Sequence, residues 1–159
     1  MKNVGVIGLG DMGSGLAKNL IKNGFNVKGA DLLPTRQLAF EAMGGQLCSN
    51  PAEVGRDVVA VFVMVMKGDE VKDVIFGNDG LLTTMLKGSS IMLSATVKPS
   101  EARDIGDGMA GSGVHLIDTP VSGGFPGAQT GTLTLMAAAQ PATLDKFAPI
   151  MEAVSANIH

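Results

Sequence analysis

Val4-Gly5-Val6-Ile7-Gly8-Leu9-Gly10-Asp11-Met12-Gly13 is the stretch that decides how this chain folds. Val4 to Gly8 is a short apolar run and reads as a strand. Behind the glycines, Met12, Leu16 and Leu20 recur on one face of a helix that stops near Asn23-Gly24. The pattern G-x-G-x-x-G is weak by itself. Between an apolar strand and an amphipathic helix it stands where a dinucleotide-binding turn requires it. Gly8 permits the tight turn, Gly10 lets backbone approach a pyrophosphate, and Gly13 lets the helix lie close to the strand. Leu9, Asp11 and Met12 complete the turn, and the helix start offers free N–H groups and a positive dipole end to phosphate.

The second strand, Asn26 to Ala30, runs into Asp31. An acid at that place accepts hydrogen bonds from the adenosine ribose and repels a 2′-phosphate, so NAD is expected over NADP. Arg36 lies nearby and could serve a 2′-phosphate instead. Methyltransferases also combine a Gly-rich loop with an acid after the second strand. The helix that begins within the third glycine's turn suits a dinucleotide better.

Strand and helix patterns go on alternating to the end of the chain. Pro34 to Met43 is predicted helical, with Leu38 and Met43 inward. Gln46 to Cys48 is a third strand, and Asn50-Pro51 opens a brief helix. Val58 to Met66 is apolar on both faces, as in a parallel strand covered on both sides. A helix over 68–76 follows, then strands over 89–95 and 114–118 with a helix from Pro99 between them. Thr132 to Ala138 is a seventh strand, Pro141 to Ala153 a helix, and Asn157-Ile158-His159 resembles the start of another strand. The expected fold class is α/β, a Rossmann-type doubly wound, mainly parallel sheet in one domain over 1–159.

Composition narrows the partners. The net charge of -3 is scattered, so no basic face exists for nucleic acid. The longest uncharged apolar run, 58–66, is too short for a bilayer. The start of the chain has no signal-peptide pattern. Cys48, the only cysteine, can form no internal disulfide, which points to a reducing, cytoplasmic setting and a buried apolar role. No metal-ligand cluster and no nucleophile–base pair stands out.

A second glycine cluster follows the sixth strand: Asp118-Thr119-Pro120-Val121-Ser122-Gly123-Gly124, then Gly127-Ala128 and Gly131-Thr132-Leu133. From the residues alone, Ser122-Gly123-Gly124 is equally a plain turn using glycine for positive φ or a cradle of hydroxyl and amides for a carboxylate.

These two motifs, the first continuing into Leu16-Ala17-Lys18-Asn19-Leu20, resemble the β-hydroxyacid dehydrogenase family over the whole chain. Gly29-Ala30-Asp31-Leu32 and Val71-Lys72-Asp73-Val74-Ile75-Phe76-Gly77 resemble its L-threonate dehydrogenase branch. The resemblance implies that the first motif binds the NAD pyrophosphate and Asp31 its ribose. It implies that Val65 and Met66 line the cofactor site, where many relatives have Leu-Pro, and that Thr96 meets the nicotinamide end. Ser122, Gly123 and Gly124 would hold the carboxylate of a small hydroxy acid.

The family's catalytic Lys lies on a long helix leading into an all-helical domain. That places it beyond His159, with no catalytic residue in this chain. Lys146 is read as a solvated face residue and His115 as structural. The full-length protein would be a homo-oligomer, and these residues alone would be inactive. The rival reading is a dinucleotide-binding module or sensor without turnover. Against it, Ser122-Gly123-Gly124 has no purpose in NAD binding alone.

Overall fold

In the computed structural model, which describes residues 2–159, β1 (Asn3–Ile7), β2 (Asn26–Ala30), β3 (Gln46–Leu47), β4 (Ala60–Val63), β5 (Ser90–Leu93) and β6 (His115–Asp118) form one parallel sheet. Their order is β3-β2-β1-β4-β5-β6. The chain winds outward from β1 to β3, then crosses back to β4 and winds outward the other way. The reversal falls between β1 and β4, the place in such sheets where a crevice opens beyond the strand ends.

Every central strand is buried on both faces, so its side chains serve two cores in alternation. Val4, Val6, Phe62 and Met92 pack on one side with Leu16 and Leu20 of α1 (Asp11–Lys22) and Phe147 and Met151 of α7 (Pro141–Glu152). Ile7, Val61, Val63, Ile91 and Leu93 pack on the other. There they meet α3 (Pro51–Gly55) through Val54, α4 (Gly68–Phe76) through Val71 and Ile75, and α5 (Pro99–Met109) through Ile105. Each such buried Val, Leu or Ile contributes about 1.5–3 kcal/mol relative to exposure.

The alternation predicted from sequence is present, with four differences. β4 ends at Val63, short of Met66, because both neighbours stop there: β1 turns away at Gly8 and β5 ends at Leu93. α2 (Pro34–Ala42) buries Phe40, while Leu38 is exposed. The Phe40 ring fills space left by the missing side chains of Gly29 and Gly45, which is what anchors that helix. His115 is exposed on the edge strand, with its ring against the edge of Phe147 at 6.2 Å between centroids.

The fourth difference is the largest. The Gly-rich stretch contains a strand, β7 (Val121–Ser122), and a helix, α6 (Gly124–Thr130). The seventh strand shrinks to β8 (Leu133–Leu135) and leaves the parallel sheet. It pairs antiparallel with β7 and parallel with β9 (Ser155–Ile158) in a separate three-stranded sheet. Pro120 separates β6 from β7, since proline cannot donate to the ladder. No helix among the described residues is long and apolar enough to cross a membrane.

Candidate dinucleotide-binding site

Because the sheet is parallel, the C-terminal ends of β1, β2, β4, β5 and β6 share one edge. The candidate cofactor and substrate residues named from sequence lie on it or on the loops beyond it. Gly8 sits at φ +92°, a left-handed conformation that favours glycine. A Cβ on Gly8 would also meet the Met64 carbonyl oxygen at 2.7 Å, so the loops after β1 and β4 touch at the reversal point. A Cβ on Gly13 would overlap the Gly8 carbonyl, which shows how closely α1 approaches the strand end.

Gly10 caps α1 and has no side chain to satisfy the first turn. Ser14 N–H already donates to Gly10 O at 2.8 Å, but the amides of Asp11, Met12 and Gly13 find no acceptor among the described residues. Four such groups at a helix start are normally left to caps, water or ligand. Here they stay open, together with the positive end of the helix dipole, at the mouth of the Gly8–Gly13 turn.

Asp31 closes one side of this mouth. Its Oδ2 accepts from Leu9 N–H at 2.8 Å and its Oδ1 from Leu33 N–H at 2.9 Å. Gln37 Nε2 donates to the Asp31 carbonyl, bracing the same corner at 2.6 Å. Arg36 Nη1 lies 3.5 Å from Asp31 Oδ2, with the Asp31 side chain 7% exposed and that of Arg36 46%. The same guanidinium lies 3.4 Å from where a Gly10 Cβ would stand. Leu9 itself is buried in the core, so its amide belongs to Asp31 and its side chain to the fold.

Val65 and Met66 lie on the loop between β4 and α4, Val65 half-buried and Met66 85% exposed. Thr96 is exposed on the loop after β5. Ser122, Gly123 and Gly124 are all exposed, Ser122 in β7 and the two glycines at the start of α6. Gly123 and Gly124 take φ of +126° and +58°, so the chain turns there in a way side chains disfavour. Leu32, Met66, Phe125 and Met136 are exposed apolar residues that follow β2, β4, β7 and β8.

Sequence reading missed two polar contacts. Ser94 Oγ and Thr119 Oγ1 are buried and hydrogen-bonded at 2.9 Å, tying the ends of β5 and β6 together. Asn19, buried among the leucines of α1, donates to carbonyls of α6. A polar residue on an otherwise apolar helix face was the available signal for Asn19. Burial pushes the Asp118 carboxyl, at the end of β6, above its usual range. Cys48 is buried and its thiol is pushed up, chiefly by that burial and against the field of Lys28. Lys146 is exposed, donates to Gly88 O at 2.7 Å and lies over the Phe147 ring, away from this edge of the sheet.

Hollows of about 350 and 420 Å³ lie elsewhere, one beside β6 and α5 and one at the opposite, N-terminal end of the strands. Among the described residues, no three His, Cys, Asp or Glu side chains gather as a metal site.

The chain is similar to L-threonate dehydrogenase of Cupriavidus necator, 35% identical over 158 residues, covering 99% of this chain and 53% of that protein. The crystal structure of 3-hydroxyisobutyrate dehydrogenase from Salmonella typhimurium superposes with TM-score 0.93 at 31% identity, over 100% of this chain and 55% of that one. Psf3 in complex with NADP+ and 2-OPP superposes with TM-score 0.91 at 26% identity, over 98% of this chain and 55% of that one. The chain thus spans about half the length of the relatives it matches. The family model for the NAD binding domain of 6-phosphogluconate dehydrogenase matches residues 3–159, and with the β1–β4 crevice, the uncapped α1 and the acid after β2 in place, the chain belongs to that family of dinucleotide-binding domains.

Proposed function

We propose that residues 1–159 are the NAD-binding half of a dehydrogenase that moves a hydride between a small hydroxy acid and the nicotinamide. The observation that carries this reading is the start of α1, whose amides stand unpaired at the point where the sheet order reverses. The pyrophosphate would lie over Gly8, Gly10 and Gly13 and accept from the amides of Asp11, Met12 and Gly13. Leu9 contributes by anchoring the turn to Asp31. Asp31 Oδ1 accepts one bond within the chain and keeps a lone pair for a ribose hydroxyl, while Oδ2 is shared by Leu9 N–H and the Arg36 guanidinium. A 2′-phosphate would meet that carboxylate, so NAD is preferred to NADP.

Val65, Met66 and Thr96 line the groove toward the nicotinamide. Ser122 with the amides of Gly123 and Gly124 takes the substrate carboxylate. NAD supplies the hydride chemistry when bound, and this half orients the two reactants and excludes water from one side. The relatives' names support hydroxy acids of the L-threonate or 3-hydroxyisobutyrate type. The base that takes the hydroxyl proton is a lysine outside these residues, on a helical domain that also covers Leu32, Met66, Phe125 and Met136. The chain alone binds NAD without turnover.

Calorimetry of the chain with NADH and NADPH tests the cofactor reading. Tighter binding of NADH supports it, while equal or tighter binding of NADPH overturns it and hands the 2′-phosphate to Arg36. Assay with sodium L-threonate and NAD tests the second part. Turnover by the 159 residues alone would place the base within them.

A further inference from the structure

Asn19 is 4% exposed on α1, between Leu16 and Leu20. A buried amide needs partners, and this one reaches across to another element. Its Nδ2 donates to Gly15 O of its own helix at 2.8 Å, to Ala128 O at 2.7 Å and to Gln129 O at 3.3 Å. The last two carbonyls belong to the final turn of α6, where intrahelical donors have run out. α6 is only seven residues long, far below the roughly 12–15 at which a helix persists alone. Its place therefore depends on what it is fastened to.

The surroundings are shaped around this fastening. A Cβ on Gly15 would meet the Ala128 carbonyl at 2.7 Å, so the two helix backbones are in contact. A Cβ on Gly131, which ends α6 at φ +72°, would meet Asn19 Oδ1 at 2.9 Å. Gln129 Nε2 reaches the Asp11 carbonyl at 3.4 Å. The other end of α6 begins at Gly124, immediately after Ser122 and Gly123.

We infer that Asn19 is a positioning residue: by capping the C-terminal carbonyls of α6 from α1, it sets the Ser122–Gly124 turn against the phosphate loop. The inference rests on the reading above, in which α1 takes the pyrophosphate and the turn takes a carboxylate. Cofactor and substrate would then be held in register by one side-chain amide, since both sites start from helices that Asn19 joins.

The test compares the wild-type chain with N19L, which keeps volume without donors, and N19D, which keeps shape but turns acceptors toward carbonyls. Amide hydrogen exchange by NMR, NADH affinity, and the response of the Gly123 and Gly124 amides to sodium L-threonate are measured. Both variants are expected to lose about tenfold protection at Gly127 and Thr132, whose amides bond to Gly123 O and Gly127 O. Amides of β1 and β4 keep theirs, and the NADH dissociation constant stays within about threefold. The threonate response weakens at least about fivefold. Unchanged exchange, or a uniform loss across the chain, overturns the inference. Lost α6 protection with an unaltered threonate response makes Asn19 merely structural and overturns it too. Failure of the wild type to bind NADH, or to respond to threonate, sinks the underlying reading separately, and the exchange pattern still decides whether Asn19 anchors α6.

Discussion

Leu9 N–H donates to Asp31 Oδ2 at 2.8 Å, joining the phosphate turn after β1 to the acid after β2. The two residues lie 22 positions apart, and the sheet brings them together because β1 and β2 pair in register from Asn3 and Asn26 to Ile7 and Ala30. Asp31 thus has a duty in the free protein as well as the one proposed toward ribose. Asp31→Ala is expected to cost stability as well as NADH affinity. A lost hydrogen bond to a charged group is worth about 1.5–3 kcal/mol. Thermal unfolding and calorimetry on the same variant check the two effects. A stable variant with unchanged NADH affinity would remove Asp31 from the site.

The glycines of the turn separate by what a methyl group would meet. Gly10→Ala faces only the Arg36 guanidinium at 3.4 Å and has an ordinary φ of -71°, so the fold is expected to survive. NADH binding is expected to fall sharply, because the added methyl stands where the pyrophosphate approaches. Gly13→Ala collides with the Gly8 backbone, and overpacking of that kind costs about 1–3 kcal/mol or more. Midpoints of thermal unfolding for the two variants, beside their NADH affinities, test the distinction. Equal stability loss in both would mean that Gly10 is there for packing.

The buried Ser94–Thr119 pair carries a prediction of its own sign. Thr119→Val leaves Ser94 without its partner and is expected to cost about 1–3 kcal/mol. Adding Ser94→Ala to that variant should recover much of the loss, since no buried hydroxyl is then unpaired. Urea unfolding of the two single variants and the double variant gives the coupling. Strict additivity would show that the hydroxyls do not depend on each other.

Asp118 is pushed above the usual carboxylate range by burial, so its ionised form is disfavoured in the folded chain. The stabilisation linked to that shift is complete below the unfolded carboxylate range and is lost as pH rises through the raised folded value. Asp118→Asn is therefore expected to raise the unfolding midpoint at neutral pH and to have little effect in acid. Melting curves from pH 3 to 8 check this, and a gain that is constant with pH would assign it to something other than ionisation.

For Ser122, the expectation concerns the complete dehydrogenase of the proposal. Ser122→Ala should raise the KM for a hydroxy acid, by about 1.5–3 kcal/mol in binding, with NAD affinity nearly unchanged. The reverse pattern would place Ser122 in the cofactor site or in the fold.

Much of this molecule is local and was legible in order along the chain. The strand–turn–helix from Val4 to Leu20 declares itself because tight turn, close approach and amphipathic face each demand a particular residue type within a few positions. Asp31 was legible for the same reason, since strand length sets its place at the end of β2. The double burial of β4 could be read from an unbroken apolar run, although its end could not. Val63 is the last paired residue because both of its neighbours stop there, β1 turning away at Gly8 and β5 ending at Leu93, facts about other strands.

What tertiary structure decided is everything carried by partners distant in sequence. Thr132 to Ala138 has the composition of a strand, yet whether it extends the parallel sheet or founds a second one depends on Val121–Ser122, which alone reads as a turn. α6 has three glycines or prolines among its seven residues and no helical signal. It forms because Gly15 admits its backbone and Asn19 accepts the task of capping it. Glycine costs about 1 kcal/mol against alanine in a helix, and Pro126 is tolerated because it lies in the first turn, where no intrahelical partner awaits its N–H; a buried carbonyl left unpaired costs about 1–3 kcal/mol, so contacts that pair several of them prevail over the sequence preference.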